Sequence, residues 1–268
     1  MMKQTLWSAL SLIMICLCGC EGGKTEKSVM AEGDTVAMAT ISLHDTMSYL
    51  ITNNKQCRIS ADVEFRYPKY YVDNEKTVTL QKLYAANVLN VTSDSVSLAS
   101  AFPEYVDNLI KQYKENEIEV VEDGIEADYE PMSECKLQVK IYPVYNACGI
   151  LSVCKEETAL IDEDIPAKLH FYNTFNLSEM KKLETSDIIP EEAISQVEEA
   201  LRIKLRSNLN VINDDEMADL GYYNFENLKV SENFYLTADS IVWNFMPREL
   251  SVLEEVRISL GRNEVAGY

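Results

Sequence analysis

Positive charge is what this sequence has least of. Lys and Arg number 24 against 44 Asp and Glu over 268 residues, a formal charge of -20. A surface this acidic repels phosphate backbones and anionic lipid headgroups, which argues against nucleic acid and against electrostatic membrane adhesion. Histidine is nearly absent: only His44 and His170 occur, and neither has a second His or Cys at ligand spacing, so no metal is expected. Also missing are a glycine-rich phosphate loop, a Gly-x-Ser-x-Gly elbow and an HExxH helix, the signatures of nucleotide, serine-hydrolase and zinc-protease chemistry. Carboxylates are so numerous that a glycosidase pair could be picked almost anywhere, which leaves that reading without specificity. Neither an enzyme nor a cofactor is expected.

Charge is missing at the start as well. The first twenty residues contain one charge, Lys3, and an apolar run extends from Thr5 to Gly19. That run is too short to span a bilayer and right for the h-region of a secretory signal. It ends in Leu17-Cys18-Gly19-Cys20, which resembles the bacterial lipobox, with Cys18 a less usual occupant of its slot. Cys20 is therefore the expected lipid attachment, residues 1–19 the signal peptide, and the lipid the expected contact with a membrane. No second long apolar run follows. The expected location is extracytoplasmic, anchored to the outer membrane on its periplasmic face or at the cell surface. Residues 20–40, rich in Gly, Glu, Lys and Thr, read as a solvated tether. Asp34-Thr35-Val36, Asp45-Thr46-Met47, Asp94-Ser95-Val96 and Asp239-Ser240-Ile241 look like O-glycosylation sequons of some anaerobic Gram-negative bacteria. Turn chemistry explains them equally well.

The remainder is built to fold, with 47% hydrophobic residues and 15 Tyr in the chain. From Cys57 to Arg66 every odd position is apolar and every even one polar, the period of a strand with one wet face, and Cys135 to Tyr142 repeats it. Between them, Leu80, Leu83, Tyr84 and Val88 fall at helical spacing. A second helix opened by Pro103 places Val106, Leu109, Ile110 and Tyr113 on one side. Two hairpins are expected. Tyr145 and Ile150 flank Asn146-Ala147-Cys148-Gly149; Phe234 and Leu236 return through Ala238-Asp239 to Ile241, Trp243 and Phe245, with Leu236 opposite Ile241 and Phe234 opposite Trp243. Ala167-Leu169-Phe171 and Val256-Ile258-Leu260 alternate as further strands, and this puts His170 on a polar face with Lys168 and Tyr172. A helix from Pro190 carries Ile194, Val197, Leu201 and Leu205 as its stripe and ends near Lys204 and Arg206. The expected class is α+β, with antiparallel sheets each covered on one face by helices, divided into domains at 41–165 and 166–268.

Cys57, Cys135, Cys148 and Cys154 are an even number in an exported chain and invite disulfides. Pairing Tyr145 with Ile150 sets Cys154 across from Ile141, roughly 20 Å from the level of Cys135, and leaves Cys148 at the turn. That register permits at most one bridge, from Cys57. The alternative is a chain that doubles back after Cys148, so that Cys148–Cys154 closes a short loop beside Cys57–Cys135.

The second half carries a resemblance. His170-Phe171-Tyr172-Asn173 into Asn176-Leu177, Leu183 to Pro190, Asn233 to Thr237, Ile241 to Phe245 and Pro247-Arg248-Glu249-Leu250 are similar, in order and spacing, to the C-terminal domain shared by RsiV-type anti-sigma factors and PdaC-type peptidoglycan deacetylases. Cys57 to about Ile161 looks more faintly like the domain that usually precedes it. Two segments depart: Asp162-Glu163-Asp164-Ile165-Pro166 stands where members carry Gly-Gly-Ala-His, and Arg248 to Leu253 replaces a Tyr-Glu-Ile-Ala-Pro-Tyr segment. The resemblance to RsiV implies an extracytoplasmic domain able to bind lysozyme. With neither a sigma-binding segment nor a deacetylase domain in the sequence, neither of those activities is expected.

Glu115, Glu117, Glu119, Glu122, Asp123, Glu126, Asp128 and Glu130 lie in one stretch with no Lys or Arg. Such a stretch is either a solvated loop or a docking surface for a basic protein such as lysozyme. The expected function is a lipid-anchored envelope binding module for lysozyme or a peptidoglycan-related molecule. The alternative is a structural lipoprotein supporting an outer-membrane assembly without a soluble ligand.

Overall fold

A computed structural model describes residues 35–50, 56–91, 97–122, 133–162, 167–251 and 254–265. Contacts divide the chain after Met30, and the unit from Ala31 to Tyr268 holds every described residue. Its elements are β1 (Ala37–Leu50), β2 (Gln56–Tyr70), α1 (Asn74–Val88), α2 (Leu98–Glu122), β3 (Glu134–Ala147), β4 (Ile150–Ile161) and β5 (Ala167–Asn176). They continue with β6 (Lys181–Lys182), α3 (Thr185–Ile188), α4 (Ile194–Leu209), α5 (Asp214–Asp219), β7 (Phe234–Leu236), β8 (Ser240–Phe245) and β9 (Val256–Gly261). The class is α+β, as expected. A six-stranded sheet runs β1 to β6 in chain order, and β7-β8-β9 form a separate three-stranded sheet. The large sheet continues across residue 166, because β5 pairs with β4 from Ala159↔Ala167 to Ile150↔Asn176. β1 takes up residues 37–40, the end of the expected tether.

The alternating residues do what their period demands. Cys57, Ile59, Ala61, Val63 and Phe65 of β2 and Cys135, Leu137, Val139 and Ile141 of β3 are buried under α1 and α2. Phe65 stacks on Phe102 at 4.5 Å between ring centroids, with Tyr105 against its edge. Asp73 caps α1 by accepting the Lys76 amide at 2.8 Å. One pairing differs from expectation: β2 and β3 run parallel, with Ile59 beside Cys135. Alternation reveals a strand's wet face but not its neighbour's direction, and α1 with α2 forms the crossover that a parallel pair requires. α2 begins at Leu98 rather than at Pro103, which lies inside it. Leu98, Ala101 and Phe102 bury an extra turn ahead of the proline, and that packing outweighs the one intrahelical bond Pro103 cannot donate.

The β3–β4 turn is tighter than its composition suggested. Ala147 faces Ile150 across Cys148-Gly149, whose φ angles of 53° and 72° are those of a type I′ turn. A bulge between Pro143 and Tyr145 then sets Tyr142 opposite Cys154 and Cys135 opposite Ile161. The expected Tyr145–Ile150 register is thus replaced, but Cys154 and Cys135 still lie far apart along the hairpin. All four cysteines are thiols here, Cys148 exposed and the others buried.

The second core lies between α4 and the small sheet. Val197, Leu201 and Leu205 pack with Phe234, Leu236, Ile241, Trp243, Phe245, Ile258 and Leu260, and Phe234↔Trp243 and Leu236↔Ile241 pair in the expected register. The reverse of this sheet meets β4 and β5 through polar groups. The Ser152 and Thr174 hydroxyls lie 3.1 Å apart and within hydrogen-bond reach of the Leu236 and Phe234 carbonyls, and Ser152 Oγ accepts the Leu236 amide, while Tyr172 packs at a tilt on Tyr235 at 4.6 Å. His170 is therefore not on a wet face: its side chain is only 14% exposed. Its cover arrives from strands far downstream, beyond the reach of a local pattern.

Candidate functional site

β6 pairs with β5 only at Phe175 and Asn176, so the rest of that edge needs other partners. Glu255 accepts the His170 amide at 2.6 Å; Asn233 and Asn244 donate to the His170 carbonyl at 2.9 and 3.0 Å; Asn233 accepts the Tyr172 amide at 2.7 Å. Side chains thus close a strand edge that would otherwise be open. The His170 ring lies 2.6 Å from Glu255 through Nδ1 and 3.4 Å from Glu156 through Nε2, and Lys168 holds the other Glu156 oxygen at 3.0 Å. Burial alone would raise the Glu156 carboxyl; the bonded Lys168 ammonium, with His170 and Lys140 nearby, holds it below its usual value. Beside it, burial pushes the Cys154 thiol up against hydrogen bonds from Tyr142 and Tyr172. A thiol held protonated in this way is a poor nucleophile. This cluster joins two sheets.

The opposite face of β4 and β5 offers space lined by convergent polar and aromatic groups. α2 crosses β1 and β2, α1 contacts β2 and β6, and the chain leaves α1 through Asn90, whose φ is 53°. A space is thus left between the end of α1 and α2 over Lys155, Glu157 and Phe171. β4 registers this in sequence. Leu151 and Val153 point into the core, and Lys155 and Glu157 follow on the same face at the same spacing. Lys155 Nζ lies 2.8 Å from Glu157 Oε1, with the two side chains 13% and 19% exposed. The ammonium sits 4.8 Å from the Phe171 ring centroid and 5.8 Å from that of Tyr105, and the Tyr105 hydroxyl donates to Glu157 at 3.2 Å. Burial and the Glu157 charge raise both phenols, Tyr105 strongly and Tyr113 to about 12, so both are neutral donors at physiological pH.

Around this pair lies a cavity of 420 Å³, walled by Asn90, Tyr105, Asn108, Gln112, Tyr113, Asn116 and Phe171. A second of 300 Å³, reaching Asn87, Asn173 and Asn233, shares Asn90, Lys155 and Phe171 with it. The two adjoin at these shared residues (the groove), and their volumes are typical of small-molecule sites. A larger recess of 710 Å³ is bounded mostly by the loops at 224–233 and 248–250, and its charged side chains are exposed and do not converge.

Of the residues marked in the sequence, Glu115 is exposed near the groove end of α2, and Glu117, Glu119 and Glu122 belong to its last turns. Cys20, Asp123, Glu126, Asp128 and Glu130 lie outside the described residues, as do the side chains of Glu117, Glu119 and Glu122. The groove residues Lys155, Glu157, Tyr105 and Phe171 were not marked as a site. Their signal was the break in β4, where charge enters an apolar alternation without a change of period. Among the described residues no group of three or more His, Cys, Asp or Glu is placed to hold a metal, and no helix is long and apolar enough to cross a membrane.

Comparison with solved structures places the fold. A DUF3298 family protein from Bacteroides fragilis NCTC 9343 superposes with a TM-score of 0.67 at 16% identity, covering 86% of this chain and 92% of that one. The chain has a DUF3298 fold. This fold is related to the RsiV/PdaC C-terminal domain, so the resemblance read from the second half is supported as a likeness of fold. A DUF3298 protein from Pseudomonas aeruginosa PAO1 aligns over 87% of this chain and 94% of its own at 12% identity, with a TM-score of 0.49. No family model and no curated protein matches the sequence.

Proposed function

We propose that this chain is a binding module of the bacterial cell envelope, anchored extracytoplasmically through a lipid on Cys20, and that the groove beside Lys155 is its ligand site. The observation that carries the reading is the uncovered stretch of β4 and β5. There a largely buried ion pair, the partly buried Tyr113 and Phe171 rings, the Tyr105 hydroxyl and a row of amides line a cavity at the margin of the core. Exposing such groups costs packing that a purely structural strand would keep. The groove's reactive groups are a mutually neutralised Lys–Glu pair and protonated phenols, an equipment for holding a molecule rather than for transforming it. A peptidoglycan-related molecule is the ligand proposed.

A basic protein such as lysozyme is the second reading, favoured by one observation. α2, which lines the groove through Asn108, Gln112 and Asn116, continues directly into the acidic stretch that begins at Glu115. Two measurements test the proposal. Mass spectrometry of protein extracted from membranes should find a diacylglyceryl adduct at Cys20, and unmodified Cys20 would remove the anchor. Pull-down from envelope extract, with and without added lysozyme, should retain a ligand in a manner sensitive to Gln112→Ala. Retention of nothing would leave a structural lipoprotein.

A further inference from the structure

We infer that the groove receives an uncharged saccharide. The inference rests on the groove being the ligand site and deepens that reading to a ligand class. Charge decides first. In a chain of net charge -20, the cavity around Lys155 is a balanced patch: its one ammonium is taken up by Glu157 and by the faces of Phe171 and Tyr105. An anionic ligand would find no uncommitted cation, and a cationic one would have to break the Lys155–Glu157 pair. Glu232, which accepts the Thr185 amide at 3.0 Å, lines the adjoining cavity and lies outside this patch.

What remains for a ligand is a set of neutral groups. Asn108 and Gln112 are exposed on successive turns of α2 and make no side-chain hydrogen bond among the described residues. Asn173 is 92% buried by its neighbours yet lines the cavity on the strand side. An amide both donates and accepts, so this set matches hydroxyl and acetamido groups, which do the same. The partly buried Tyr113 ring, and the side of the Phe171 ring that Lys155 does not cover, supply apolar surface for the C–H faces of a sugar ring, which a small polar solute would leave unused. Ribose-phosphate ligands fail the charge criterion, and a purely apolar ligand would strand the amides without partners. A short saccharide uses both kinds of surface together.

The test is calorimetric titration of the full-length lipoprotein in detergent with two tetrasaccharides, one of N-acetylglucosamine and one of unsubstituted glucose. Binding of either, unchanged from low to high salt, is expected. Asn108→Ala and Gln112→Ala, both exposed and therefore without folding cost, should each weaken it roughly three- to tenfold, the worth of a hydrogen bond. Preference for the N-acetylated chain would assign the ligand to wall glycan, and equal or opposite preference to another polysaccharide. If neither sugar binds the folded parent, or if the variants bind as the parent does, the saccharide inference is overturned. Envelope pull-down that still depends on Gln112 would then preserve the groove as a site for some other ligand.

Discussion

Glu255 holds His170 twice. One carboxylate oxygen accepts the His170 backbone amide and the other contacts the ring Nδ1, both at 2.6 Å, across 85 residues of chain. The same carboxylate is approached by Arg257 and Asn244, each at 3.4 Å. A single side chain therefore satisfies the His170 amide on the β5 edge, contacts its ring and ties the small sheet to the large one.

Glu255→Ala should be costly for that reason. It strands the His170 amide and leaves the ring without its nearer carboxylate, a loss of about 3 kcal/mol, or roughly 6 to 12 °C in melting temperature for a domain of this size. Thermal denaturation followed by circular dichroism checks it. A variant that melts with the parent would show that the remaining contacts between the sheets, those of Ser152, Thr174, Asn233 and Asn244 among them, hold them without Glu255.

Glu156 makes the stability pH-dependent with a definite sign. Its folded-state value is lowered, against burial, chiefly by Lys168. Its contribution is therefore present above the ordinary carboxylate range and lost as pH falls through the lowered value. Lys168→Met should melt below the parent at neutral pH, and the two curves should converge in acid. A difference that persists unchanged below the carboxylate range would mean that Lys168 acts through packing.

Leu201 is fully buried mid-stripe on α4 between Val197 and Leu205. Leu201→Asp places an unpaired carboxylate there at a cost of several kcal/mol, a large share of a domain's stability of about 5 to 15. Loss of the Trp243 near-ultraviolet signal at room temperature is the expected readout, since that ring belongs to the same core.

If the acidic stretch recruits a basic protein, it acts mainly on the rate of encounter. Replacing Glu119, Glu122, Asp123 and Glu126 with Gln should slow association with lysozyme roughly tenfold at low salt and have little effect at high salt. Stopped-flow kinetics decide between docking and solubility. Unchanged rates, or no binding by the parent, leave a solvated segment.

Local pattern was enough for much of this molecule. The odd residues of β2, the α4 stripe from Val197 to Leu205 and the Phe234–Trp243 register were all legible, because a period of 2 or 3.6 and a short turn are properties of neighbouring residues. Three features belong to the tertiary structure alone. The parallel pairing of β2 with β3 depends on where two helices return the chain. The burial of His170 depends on Glu255, Asn233 and Asn244, whose side chains satisfy a backbone edge that no local pattern marks as open. The groove exists because the end of α1 and the face of α2 carrying Tyr105, Asn108 and Gln112 do not close over Lys155 and Phe171. Sequence records the charge at Lys155 and Glu157, but whether such a pair meets solvent, a helix or a cavity is set by packing between elements far apart in the chain.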